Sequence, residues 1–193
     1  MRVDVAAHAP HGRKYGTTFA ESWRAPGGDT LLAVGAVVSG AGDRIRVADL
    51  LRTGSRAVVL SRGAFATALP ALDRIVAAHA REARDDALAA ALLLAGFPAA
   101  GDEIAIAGAG RLNAAVVDGA GGVHHVNSRA AALGTGIEPP DVVETLRLRR
   151  DDVLVVATVQ LDPRWWQSGD RTTAAVLRLS AEPDAAAAVI SSG

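Results

Sequence analysis

Side chains that do chemistry are sparse in this chain, and few stand at a spacing that would let them act together. His8 and His11, in HAPH, could offer two imidazoles to one metal ion, but Pro10 breaks a helix there and no third ligand is adjacent, so a solvated loop is the plainer reading. His124 and His125 are neighbours in a strand-like run, so their rings would point to opposite faces and could not share an ion; a structural role is the plainer reading. Ser22, Ser39 and Ser128 lack the histidine neighbourhood that marks an activated nucleophile. With no cysteine, disulfides, thiolate metal sites and cysteine nucleophiles are all excluded. SGAG and AGAG follow apolar runs but lack the Lys-Ser/Thr of a phosphate loop and the spacing of a dinucleotide fingerprint, so they read as turns. Arg164, Trp165 and Trp166 form the most unusual group. In an extended connection one indole would face inward and one outward, which suits either a cap on the core or a platform for a ligand or partner.

The 193 residues predict one domain over 1–193, with 181–193 as a short tail. Half of them are apolar and 21% charged, which predicts a packed fold rather than a disordered chain. The formal charge of -1 carries no basic stripe, and Lys14 is the single lysine. Arg147, Arg149 and Arg150 alternate with apolar residues as the solvent face of a strand would, so no nucleic-acid footprint is expected. No apolar run approaches the ~18 residues of a membrane span, and the opening MRVDVAAHAPHGRK has no continuous apolar core of a leader. A soluble cytoplasmic protein is expected.

Short apolar runs separated by Gly, Pro or Asp predict strands at 2–7, 30–38, 103–107, 113–117, 142–148, 152–159 and 172–179. DGAGG at 118–122 predicts the turn of a hairpin. From Arg46 to about Arg84 the period becomes helical. Val47, Leu50, Leu51, Ala57 and Val58 could share one face although Gly54 weakens it, and Phe65, Leu69, Leu72, Ile75 and Val76 another, with a kink or a start near Pro70. DDALAAALLLAG at 85–96 is ambiguous, since alanine and leucine favour helix while length and bounds suit either state. SAEPDAAAAVISSG reads as a short helix or a frayed end.

In this order, several stretches together resemble the metal-dependent protein phosphatase family, type 2C, with its sporulation-phosphatase branch. LLAVGAVVSGAG is similar to the strand ending in an Asp-Gly-x-Gly-Gly turn. AGDEIAIAGAGRLNAAVVDGAGGVHHV is similar to the paired strands with Gly-Asp-Ser-Arg. ALGTGIEPPDVVETLRLRRDDVLVVATVQL resembles the strand pair that ends in Thr/Ser-Asp-Gly, and GDRTTAAVLRL the closing strand. The likeness runs from about residue 12 to 179. It implies an α+β fold, a two-sheet antiparallel β-sandwich flanked by helices, in which 85–96 becomes a strand. Only LDPRWWQSG fills the gap where the family inserts helices, so the helical layer on one side should be reduced.

The family holds two Mn or Mg ions that make a nucleophile of a bridging water, and such hard cations need carboxylates. By the resemblance the first central aspartate falls on Ala36 and its glycine on Val37. The Thr-Asp-Gly turn falls on Thr158, Val159 and Gln160, and the Gly-Asp-Ser aspartate on Ala109. Arg13 matches a phosphate-binding arginine, Glu21 loosely matches an acidic group, and Asp170 alone keeps a metal-aspartate position. No metal cofactor is expected with so few ligands.

The implied function is that of a pseudophosphatase, binding a protein partner or small organic ligand through Ala36, Val37, Thr158, Val159, Trp165 and Trp166. One alternative is a metal-independent enzyme acting on an organic molecule, in which Arg13, Glu21, Asp170 and a histidine serve a desolvated cleft. Another is a Ser/Thr phosphatase with a displaced metal site, which needs carboxylates such as Asp29, Asp43, Asp118 or Asp162 to converge. Neither nucleic acid nor membrane is expected as a partner. A sheet left bare by missing helices would favour a homodimer.

Overall fold

The structure, a computed structural model, describes residues 2–7, 16–60, 67–99, 103–126, 131–137, 144–158 and 185–191. In chain order these form β1 (Arg2–Ala7), β2 (Thr18–Arg24), β3 (Thr30–Ser39), α1 (Arg44–Leu60), α2 (Ala68–Ala83), β4 (Ala89–Phe97) and β5 (Glu103–Ala109). They continue as β6 (Asn113–Val117), β7 (Val123–Val126), β8 (Glu144–Arg147), β9 (Val153–Ala157) and β10 (Ala186–Ser191). The strands make two five-stranded sheets, in the orders β1-β10-β9-β6-β7 and β2-β3-β4-β5-β8. Every pairing within them is antiparallel. This is the expected α+β sandwich, and both helices among the described residues pack on the β2-to-β8 sheet.

Alternation along each strand divides the side chains between two cores. In β3 and β4, Leu32, Val34, Leu93, Ala95 and Phe97, with Ile104 of the adjacent β5, face the other sheet and meet Leu154, Val156 and Ile190 there. Leu31, Ala33, Val37, Ala90, Leu92 and Leu94 face the helices and meet Leu51, Leu69, Leu72 and Val76. A strand covered on both faces needs apolar residues at every position, which is why 85–96 shows no period of two. That stretch is strand β4, as the resemblance implies.

β10 overturns the expectation for 181–193. Ala186 to Ile190 are all buried, and the strand lies between β1 and β9 in the interior of its sheet. Alanine's helix propensity is a weak prior, and here a crowded site covered on both faces outweighs it. β2 is absent from the predicted strands because Glu21, Ser22 and Arg24 interrupt its apolar residues, as an edge strand allows. Arg149 and Arg150 lie beyond the end of β8. Only Arg147 of that group is on the strand, where it reaches Glu103 across the pair at 2.7 Å.

The helical readings stand with adjustments: Ala57 and Ile75 are exposed rather than part of the buried faces. Pro70 is accommodated in the first turn of α2, where its missing N–H loses no helical bond. α2 ends at Arg84, in the left-handed region at φ 53, with Asp85 N donating to Ala80 O at 2.9 Å and Arg84 N to Arg81 O at 3.2 Å. The strand expected at 172–179, the shortened connection and Phe65 lie outside the described residues. No helix among the described residues is long and apolar enough to cross a membrane.

Candidate functional site: the end of strand β3

Ala36 pairs with Thr18 of β2 and with Ala91 of β4, and it shares the inter-sheet face of Leu32 and Val34. It is 8% exposed, at the end of the sandwich. Val37 turns the other way, 2% exposed in the core beneath the helices. The resemblance would place a glycine turn from residue 37 onward, but the strand continues to Ser39 through a bulge. Val37 pairs with Ala90 and Ser39 with Ala89, so Val38 is the extra residue, its side chain 51% exposed. The Ser39 hydroxyl donates to Ala87 O at 2.6 Å.

The turn itself begins at Gly40, at φ 107. A Cβ at that position would come 2.8 Å from Asp85 Oδ2 and 2.9 Å from Leu88 Cα, so glycine is required by conformation and by space. Asp85 Oδ2 accepts bonds from Ala41 N and Gly42 N at 2.8 Å each. Asp43 then caps α1 by accepting from Arg46 N at 3.0 Å. From the first residue of that helix, Arg44 Nη2 reaches back to donate to Val37 O.

Two other strand ends carry positions that the resemblance singles out. At the end of β9, the Thr158 hydroxyl accepts from Ala186 N at 2.9 Å, and Thr158 N donates to Ala186 O at 2.9 Å, so this threonine fixes the start of β10. At the end of β5, Ala109 is fully buried on the helix-facing side, and Gly110 crowds Ala91, where an added Cβ would lie 2.8 Å from the alanine's own. Gly110 N donates to Ala131 O, and Leu133 exchanges two backbone bonds with Ala90, so residues 131–133 continue the sheet where β5 leaves it.

Glu21 is not beside Ala36. It pairs in register with Ala33, whose side chain faces the helices, and its carboxylate accepts a bond from Arg52 of α1 at 2.9 Å. Arg52 also holds Asp49. The cleft acid expected at Glu21 is therefore an ion-paired side chain on the opposite face of the sheet, because Glu21 and Ala36 fall on different parities of the paired strands. Arg13, Val159, Trp165, Trp166 and Asp170 lie outside the described residues, as do His8, His11, Ser128 and Asp162.

Among the described residues the remaining acids do not converge. Asp29 accepts from Ala99 N at 2.9 Å, Asp43 serves the helix cap, and Asp118 closes the β6–β7 hairpin. Among the described residues no group of three or more His, Asp or Glu could hold a metal ion. His124 and His125 are both exposed on β7. The backbone N–H of Gly122 foremost, with the His124 ring and Ala120 N–H, holds the Asp118 carboxyl below its usual range. Sequence reasoning missed Asp85 and Arg44, the two side chains that tie the end of β3 to the helices. Asp85 lies 43 and 44 residues from its partners, and no local pattern announces it.

No family model matches the chain, and no curated protein matches it. Solved structures do. A bacterial serine phosphatase bearing an arginine-to-alanine mutation superposes with a TM-score of 0.78 at 12% identity, over 99% of this chain and 97% of that one. The S. agalactiae serine/threonine phosphatase gives 0.78 at 12% identity, covering 99% of each chain. RsbX in complex with magnesium gives 0.74 at 7% identity, over 97% of this chain and 92% of that one. The fold is phosphatase 2C-like.

The described residues do not fit a two-metal centre. Ala36 and Ala109 present methyl groups at two positions that the resemblance gives to aspartate, and Glu21 faces away across the sheet. Oxygen ligands are what Mg or Mn would require.

Proposed function

We propose that this protein is a pseudophosphatase, a phosphatase 2C-like scaffold that acts by binding a protein partner or a small organic ligand at the end of the sandwich. The observation that carries this reading is the pair Ala36 and Val37, two buried apolar side chains where the fold's relatives would hold a metal aspartate and its glycine. A strand end that presents methyl and isopropyl groups where carboxylates would crowd together has less negative charge to offset, so it folds without needing a dication to relieve repulsion there. The exposed Val38, carried outward by the bulge, adds apolar surface at the same end. A metal-independent enzyme has less support, since the Glu21 carboxylate is bonded to Arg52 on the far face. A displaced phosphatase centre would need acids that are spread over separate turns and caps. The partner class follows from charge: a near-neutral chain without a basic stripe suits protein or small-molecule recognition rather than nucleic acid.

Calorimetric titration of Mn²⁺ into the metal-stripped protein at neutral pH, alongside an assay with a generic aryl phosphate, tests this. The expected result is no stoichiometric binding and no turnover. Two ions bound at micromolar affinity, with hydrolysis of the phosphate ester, would overturn the reading.

A further inference from the structure

We infer that the end of β3 is a packed joint that holds α1 on the sheet, and that placing a carboxylate at position 36 does not create a dication site. This deepens the reading above and rests on the same position. Three observations carry it. Val37 is buried with Val47 and Leu51 of α1 in one core, its N–H donates to Thr17 O at 2.9 Å, and its carbonyl accepts from Arg44 at the start of the same helix. The position that a metal turn would leave bare therefore contributes both side chain and backbone to seating the helix. Ala36 lies between Thr18 and the fully buried Ala91, and Gly110 already crowds Ala91, so the surrounding strand ends are built from small residues in close contact. The described acids at this strand end are engaged elsewhere, Asp85 with Ala41 and Gly42 and Asp43 with the α1 cap, while Glu21 is held by Arg52 on the opposite face of the sheet. Among the described residues, the carboxylates around an aspartate at 36 would thus already be bonded elsewhere, and a buried charge without a partner destabilises a fold.

Ala36→Asp and Ala36→Asn, nearly equal in shape and different in charge, separate the possibilities by thermal melting with and without millimolar Mn²⁺. Both variants should melt below wild type, the aspartate variant lower, and Mn²⁺ should shift all three proteins equally. A Mn²⁺-dependent rise of about 5 to 10 °C in the aspartate variant and not in the asparagine one would overturn the inference, that being the shift expected for a ligand at ~100 times its Kd. If the aspartate variant does not fold alone, refolding with Mn²⁺ decides in the same way: rescue overturns the inference, and absence of rescue upholds it. Mn²⁺ binding by the wild-type chain would instead sink the pseudophosphatase reading, so the two can fail separately.

Discussion

The turn that follows β3 and the turn of the β6–β7 hairpin are both glycine-rich, and in each an aspartate carboxylate accepts two backbone N–H bonds. In the hairpin the acceptor is Asp118, bonded to Ala120 and Gly122 at 2.9 and 2.8 Å, only two and four residues further on. After β3 the acceptor is Asp85, bonded at 2.8 Å to Ala41 and Gly42 from beyond the far end of α2. The local turn organises itself within five residues, and its aspartate, like Asp85, is partly exposed. The other turn joins the end of β3 to the end of the helical layer, so a change there should propagate into the position read as the site.

The sharpest way to break this comparison is to add the same methyl group to both turns. Gly40→Ala must overcome a positive φ and a Cβ within 3 Å of both Asp85 and the Leu88 backbone. A loss of about 3 kcal/mol is expected in denaturant unfolding. Gly121→Ala, at φ 90 with nothing within 4 Å of its Cβ, should lose only about 1 kcal/mol. Equal losses would mean that the β3 turn is no more tightly bound into the fold than the hairpin.

Next in size is Asp85→Ala. It removes two charge-assisted acceptor bonds, one at a part-buried N–H, and should cost about 1 to 2 kcal/mol. Because the bond links β3 to α2, native-state hydrogen exchange should accelerate at Ala41, Gly42 and the first turn of α1 together. Faster exchange confined to Ala41 and Gly42 would show that the carboxylate serves the turn alone.

The same contrast explains what was legible from the residues. DGAGG announces its hairpin because the donors and acceptor lie within one short stretch, and apolar β3 announces a strand. Ala36 and Val37 could be marked as places without ligands, since a missing carboxylate is visible in the sequence itself. The orientation of Glu21 could not, because it depends on the register of β2 against β3, and the bulge at Val38 depends on pairing with β4, which lies beyond both helices. β10 failed for a related reason: alanine is a poor guide where burial on both faces is decided by distant strands.

The smallest expected effect belongs to the hairpin and is read by pH. The Asp118 carboxyl is held below its usual value, first by the Gly122 N–H and then by His124 and the Ala120 N–H. A group whose pKa is lowered in the folded state adds stability above its unfolded pKa and loses that contribution as pH falls through the folded one. Wild type should therefore exceed Asp118→Asn slightly in melting temperature at pH 7, with the difference fading as pH is taken below 3.8, the ordinary value for this group. The carboxylate is partly exposed and its His124 partner largely so, and salt should therefore shrink the difference further by screening their attraction. No difference at neutral pH or in acid would show that the charge on Asp118 is idle, and that Asn serves the same two N–H donors as well. The hairpin would then rely on turn geometry alone, which would widen its contrast with the turn held by Asp85.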